Sequence, residues 1–406
     1  MTKDVLIIAH FCGDFDENSN NRFNYLTNYL SLEEEFEVEL VTSNFSHFKK
    51  KKRRMPKEYK NYQITLLEEP TYTKNVSIKR FYSHHKLGIS LKKYLKERRK
   101  PDIIYCANPS LDVAYIAAKY AERYSIRFIL DVQDIWPEAF GMLLPVPYIA
   151  NILFYPFKFI QEYPYKVADE IVAVSETYVK RGLKENEKDA VGHCIYLGTD
   201  LSKFNNHSYL IKEKDDEVLL VYIGTLGHSY DLKTVIDAVK ISSENYNIKL
   251  LIIGDGPLKE EFEIYAHKKC INVEFTGRLP YAEMIKLLVA CDIAVNPIHL
   301  KSAATIINKV CDYSAAGLPI LNTQQSKEYK NLVEEYNIGF NCQSNNALSL
   351  SNKLSLLCGD KKLRKKLGEN SRKLAEEKFD REKTYTTIKD LILNNMEDKN
   401  ESFNTL

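Results

Sequence analysis

Lys309 and Asp312 stand three residues apart in KSAATIINKVCDYSAAGLP, residues 301–319. In a helix that spacing puts both side chains on one face. Thr305 is the candidate N-cap and Gly317 the candidate stop. A helix amino end carries free N–H groups and partial positive charge, which suits a diphosphate. Lys309, about one turn in, adds a full charge, and Asp312 can accept both hydroxyls of a ribose. The plainer reading of the two is a surface ion pair.

Two glycine turns stand in the same half of the chain. Val221-Tyr222-Ile223 runs into Gly224-Thr225-Leu226-Gly227, and Ile252-Ile253 into Gly254-Asp255-Gly256-Pro257. Glycine permits positive φ and lets backbone amides approach a phosphate. In the first half, the apolar run Phe128–Val132 leads to Asp134 and Glu138, beside the single Trp136, and the first apolar run leads to His10. Asp14-Phe15-Asp16 has the shape of a metal-binding DxD, but no further His or carboxylate pattern accompanies it. It reads as solvated turn residues, and no metal site is expected.

The elements that must position these residues follow from periodicity. Val5–Ala9, Val38–Val41, Ile103–Cys106, Phe128–Val132 and Ile171–Val174 read as strands buried on both faces. Amphipathic stretches such as Arg22–Leu32 and Leu111–Tyr124 lie between them. The alternation restarts at Val218–Ile223, Lys249–Ile253, Val273–Thr276, Ile293–Pro297 and Pro319–Asn322. The pattern predicts an α/β protein of two doubly wound parallel sheets, whose ligands sit beyond the strand carboxyl ends. At 406 residues the chain also has room for two domains. The expected division is 1–195, a linker at 196–216, 217–378, a helix at 379–397 returning to the first domain, and a disordered tail at 398–406. Two stretches break the alternation. Lys49–Arg54, six consecutive basic residues, predicts a solvated loop, and Leu143–Val167 is apolar and aromatic but broken by prolines.

Composition bounds the function. With a net charge of +2, a protein built on nucleic-acid electrostatics is excluded. Residues 1–168 carry 25 basic and 20 acidic side chains, so the first half is the positive one. None of the eight cysteines forms a CxxC, which fits small buried hydrophobes in a reducing, cytoplasmic setting. No run of 18 apolar residues is present to cross a bilayer. The basic runs Lys49–Arg54 and Lys92–Lys100, with the aromatic run Phe154–Phe159, predict a peripheral seat on an anionic membrane surface.

Several ordered pieces now carry a resemblance. AVSETYVKRG (173–182), YLGTDLSKF (196–204), YIGTLGHSYDLKTVIDA, LIIGDGPLKEEFE, NVEFTGRLPYAEMIKLLVACDIAVNP and NKVCDYSAAGLPIL (308–321) follow one another along the chain. Together they resemble the GT-B glycosyltransferases of family 4, the group 1 transferases of bacterial surface polysaccharides. DVQDIWPEAF resembles an element of the fucosamine-transferase-like branch. The resemblance implies two Rossmann-like domains facing a cleft, with the acceptor on the first and a nucleotide sugar, UDP-linked, on the second. It implies transfer with retention of anomeric configuration to a glycan or lipid-linked acceptor, and no catalytic metal. Carried over by position, Lys309 holds the diphosphate, Asp312 the ribose, and Asp134 faces sugar and acceptor; His10, at the end of the first apolar run, is a further catalytic candidate by its place alone. Gly224, Thr225, Gly254, Gly256, Arg278 and Thr305 line the nucleotide. The sequence departs from the family pattern at four places. The family's ribose Glu is Asp312, the first Glu of its EX7E pair is Ala304, and its basic phosphate turn is GTLGHSYDL, which leaves His228. The glycine-rich turn after the first strand is replaced by ENSNNRF, which brings in Arg22. Two other functions share the architecture: a nucleotide-sugar 2-epimerase and a non-catalytic sugar-nucleotide-binding subunit.

Overall fold

The computed structural model describes residues 2–15, 21–56, 60–74, 77–135, 158–205, 216–300 and 306–393. It divides into two units, Met1–Ile195 with Tyr385–Leu406, and Tyr196–Thr384. The start of the stretch expected as a linker, 196–205, therefore belongs to the second unit; 206–215 lies outside the described residues, as does the expected tail.

The first unit holds β1 (Lys3–Ile8), β2 (Phe36–Ser43), β3 (Phe45–Ser46), β4 (Lys51–Lys52), β5 (Gln63–Leu67), β6 (Ile103–Asn108), β7 (Arg127–Val132), β8 (Glu170–Ala173) and β9 (Val191–Cys194). Seven of them form one parallel sheet in the order β5-β2-β1-β6-β7-β8-β9. Strands β1 and β6 are buried along nearly their whole length, which is why they read as continuous apolar runs. The chain reverses its direction of travel between β1 and β6, the switch point where open α/β sheets take ligands.

The second unit holds β10 (Val218–Ile223), β11 (Ile248–Ile253), β12 (Val273–Gly277), β13 (Ile293–Asn296), β14 (Ile320–Asn322) and β15 (Gly339–Asn341). They form a parallel sheet ordered β12-β11-β10-β13-β14-β15, with its switch point between β10 and β13. Its core packs Leu220, Tyr222, Ile252 and Val295 against Val235, Ile236 and Leu354 of the covering helices.

The returning segment of the first unit includes a helix, Thr386–Leu393, whose Ile388 and Ile392 pack with Val5 and Ile7 in the first core. Arg22 fastens that segment. Its guanidinium donates to Asp131 at 2.8 Å, to the Ile195 carbonyl at 3.1 Å and to the Tyr385 hydroxyl at 3.2 Å. Arg22 is therefore buried and engaged within the first unit rather than presented by the turn that replaces the family's glycine-rich one.

The basic run is a second correction. Lys51 and Lys52 are β4, paired antiparallel with Phe45 and Ser46, so Lys49–Arg54 is not a solvated loop throughout. Arg53 is buried and donates to Thr42 Oγ1 at 3.1 Å and to the Cys12 carbonyl. In the Lys92–Lys100 stretch, Arg98 is likewise tied to Asp4 at 2.6 Å and Glu39 at 2.8 Å. The expected aromatic run lies outside the described residues up to 157; a helix covers 158–167 and leaves Phe159 exposed.

Candidate active site

At the switch point of the second sheet, β10 ends in Gly224 with φ 128° and β11 in Gly254 with φ 153°. Both values lie where L side chains are strained. The two turns rest on each other. A Cβ on Gly254 would overlap the Gly224 carbonyl oxygen, and one on Gly256 would overlap that of Leu226. The amide of Gly224 donates to the Ile253 carbonyl at 2.9 Å, and that of Gly254 to the Gly277 carbonyl at 2.9 Å. The Gly256 amide donates to the Asp255 carboxylate at 2.7 Å. These glycines serve turn-on-turn packing, and their amides are engaged within the turns in the unliganded structure. Thr225, at the tip, is exposed, as is Arg278 after β12.

Behind the Gly224 turn lies Lys309. Its helix runs Asn308–Ala315 with Ile307 at the N-cap position, so it begins two residues later than expected. Thr305 and Ala304 lie outside the described residues. Gly317, at φ 69°, follows the helix as the left-handed stop. Lys309 Nζ is buried with no hydrogen-bond partner among the described residues. It sits 3.7 Å from the ring centroid of Tyr230 and 4.1 Å from that of Tyr222. A Cβ placed on Gly224 would come within 2.9 Å of it. Burial pushes this amine well below the ordinary lysine value.

Asp312 does not pair with Lys309. It is buried, and its Oδ1 accepts from the Tyr281 hydroxyl at 2.7 Å; Tyr281 in turn lies 2.8 Å from Thr199 Oγ1. Burial lifts its carboxyl to about 6, against the opposing pull of Tyr281, Thr199 and Arg381. The surface ion pair is excluded, and the carboxylate expected at the ribose is enclosed in a tyrosine contact.

In the first unit the carboxyl ends of the strands gather a cluster that the sequence reading saw only in part. His10, just beyond β1, has Nδ1 2.7 Å from Ser110 Oγ and Nε2 3.0 Å from Glu69 Oε2. Ser83 donates to the other Glu69 oxygen at 2.6 Å. His84 meets His10 edge-on at 4.6 Å between centroids and accepts from Arg80 Nε at 3.4 Å. Burial disfavours the Glu69 anion, but the charge of His10 and the hydrogen bonds from His10, Ser43 and Ser83 hold its carboxyl below the usual value. Burial and the neighbouring cations Lys50 and Arg80 push His47 down to about 3. Asp134, after β7, accepts from the Ile135 amide at 2.8 Å and adds its charge beside Arg80. Trp136 and Glu138 lie outside the described residues, as does Asp16 of the DxD; Asp14 is within ion-pair reach of Lys49 and Arg53. His10, Glu69 and His84 bring ligand-type atoms within 4.8 Å of one another, among the described residues. The adjacent Arg80 and Lys50 oppose a second cation there. Glu69, His84 and Arg80 had no sequence signal, because β5 and the helix Ile78–Glu97 carry them to His10 from about 60 to 75 residues away. A groove of about 670 Å³ between Asp4, Phe36, Gln63 and Arg99 opens at the amino ends of β1, β2 and β5, opposite to this cluster.

Residues 206–374 match the family described as glycosyl transferases group 1. An uncharacterized glycosyltransferase of Methanocaldococcus jannaschii, MJ1178, is 29% identical over 53% of this chain and 57% of its own. The capsular polysaccharide biosynthesis glycosyltransferase CapM of Staphylococcus aureus is 24% identical over 52% of this chain and 58% of its own. The chain thus spans somewhat more than half the length of these two relatives. The Anabaena protein Alr3699/HepE, solved in complex with UDP, superposes with a TM-score of 0.69 at 13% identity, covering 96% of this chain and 99% of that one. The second unit is thus similar to the group 1 glycosyl transferases, in line with the motifs of that half of the chain, and the fold is GT-B.

Proposed function

We propose that this protein is a glycosyltransferase that moves a sugar from a UDP-linked donor, with retention, to a glycan or lipid-linked acceptor in surface polysaccharide synthesis. The observation that carries the proposal is the Lys309 amine, buried without a partner directly behind the Gly224–Thr225 turn at the second switch point. An unpartnered buried amine at a ligand edge is a seat for an anion. The match of residues 206–374 to the group 1 family supports the same assignment, as do the UDP in the HepE complex and the capsular role in CapM's name.

In this reading the donor diphosphate lies over Gly224 and Thr225 and draws its charge balance from Lys309. A departing diphosphate gathers negative charge as the sugar–oxygen bond breaks, and a fixed cation stabilises that state more than the ground state. Gly254, Gly256 and Arg278 line the nucleotide, and Asp312, held by Tyr281, is assigned the ribose. Asp134 and the His10–Glu69 pair serve the sugar and acceptor from the first unit. The exposed Lys92, Lys93, Lys96 and Lys100 seat the protein on an anionic membrane. A thermal-shift panel of nucleoside diphosphates and nucleotide sugars tests the donor assignment. A ligand at 100 times its Kd stabilises by about 2.7 kcal/mol, so UDP compounds should raise Tm by degrees. A panel in which none of them shifts Tm contradicts it.

A further inference from the structure

Lys309 poses a physical problem that the donor assignment alone does not resolve. Its Nζ is closed off from solvent, so a phosphate cannot meet it in the unliganded arrangement. No carboxylate compensates it, since Asp312, one turn on, is committed to Tyr281. The groups around it are aromatic. Tyr222 on β10 and Tyr230 after the glycine turn flank the amine, and their hydroxyls do not bond to it. The Tyr222 hydroxyl donates instead to the Thr225 carbonyl at 2.7 Å, which ties one wall of the box to the tip of the turn. Tyr313, next to Asp312 on the same helix, accepts from the Ile223 amide at 2.9 Å and fixes the end of β10. No charged group faces Nζ from any of these elements among the described residues.

We propose that Tyr222 and Tyr230 are positioning residues, an aromatic rest site that stores the Lys309 side chain until an anionic donor arrives over Gly224. The proposal rests on the donor reading and deepens it. Two ring faces can hold either form of the amine, the charged form through its attraction to the rings. Burial without an anion favours the neutral form, as the lowered affinity for a proton indicates. A diphosphate beside Gly224 reverses that preference. The amine then takes one proton from solvent, R–NH2 becoming R–NH3+, and the charge pair forms with the phosphate. Gly224 suits this arrangement because a Cβ there would stand only 2.9 Å from Nζ, between the amine and the turn.

Isothermal titration of the whole chain with UDP, in buffers of different ionisation enthalpy, measures the protons taken up. Working from about pH 7.5 to 9 keeps ordinary imidazoles and the terminal phosphate out of the count. The proposal predicts uptake approaching one proton and a Kd that weakens by up to tenfold per pH unit. Lys309→Met should still bind UDP, more weakly and with no uptake. Tyr230→Phe should keep the uptake. Tyr230→Ala, which admits water, should lower it while leaving binding in place. Binding of UDP by the wild type without proton uptake overturns the rest site and leaves the donor reading standing. Uptake that persists in Lys309→Met overturns it as well. Failure of the wild type to bind UDP at all overturns the donor reading itself.

Discussion

A buried amine without an anion destabilises the fold that contains it, so its role can be separated from packing by one substitution of similar length. Lys309→Met removes the charge and keeps most of the volume. It should leave Tm unchanged or raised, because the desolvated polar group is gone. Sugar transfer should fall by roughly 10² or more, the usual consequence of losing one preorganised electrostatic contact. A stable variant with unchanged turnover would show that Lys309 is only part of the core. Asp312 offers a pH test. Its carboxyl is raised to about 6 by burial, with Tyr281, Thr199 and Arg381 pulling the other way. Between pH about 4 and 6 the folded chain therefore holds a proton that the unfolded chain has released. That contribution is complete below about pH 4 and is lost as pH rises through about 6. Asp312→Asn should stabilise above pH 6 by on the order of 2 kcal/mol, with the gain vanishing below about pH 4. Denaturant titrations at pH 4 and 7.5 check it, and equal shifts at both would contradict the assignment.

At the scale of the element, the glycine turns are more constrained by each other than by any ligand. Gly254→Ala should cost several kcal/mol, since the added methyl would overlap the Gly224 carbonyl and the backbone is at φ 153°. Chemical denaturation measures this, and a loss below about 1 kcal/mol would mean that the turns can separate freely. Arg22 and Asp131 form the corresponding device in the first unit. Asp131→Ala should cost about 3–5 kcal/mol by stranding a buried guanidinium, and Arg22→Met with Asp131→Leu should recover much of it. The strands legible in the sequence were those buried on both faces, such as β1, β6 and β10, whose apolar runs are continuous. Strands β5, β9 and β15 escaped because they are half-exposed edges or neighbours of edges, three to five residues long, without such a run. The β3–β4 ribbon escaped because a lysine pair does not advertise a strand. Of the site, the glycine turns were legible because each follows a strand directly, and Lys309 and Asp312 because their spacing puts them on one face of a helix. The aromatic box was not. Tyr222 alternates as an ordinary core residue of β10, and Tyr230 sits in a turn, so only the fold shows that they share one amine.

For the whole molecule, the excess of positive charge in the first half and the lysines left exposed bear on where the protein works. Each basic residue near an anionic surface contributes about 1 kcal/mol, so Lys92, Lys93, Lys96 and Lys100 together suffice for reversible binding. Co-sedimentation with anionic vesicles should be lost at high salt and weakened at least tenfold by changing these four to Gln. Binding that ignores both would remove the basic face from the account. Arg53, which is buried, and Arg98, which is tied to Asp4 and Glu39, are excluded from that test as structural cations.

Donor turnover without acceptor shows whether the second unit activates a nucleotide sugar for transfer with retention, as proposed. Proton NMR of the whole chain with a UDP-sugar that binds follows both products of slow hydrolysis. UDP should appear together with a free sugar whose first-formed anomer has the donor's configuration, before mutarotation scrambles it. The Lys309→Met variant should release neither product at a comparable rate. A first-formed sugar of inverted configuration would contradict retention, and a new nucleotide sugar in place of free sugar would make the protein an epimerase rather than a transferase.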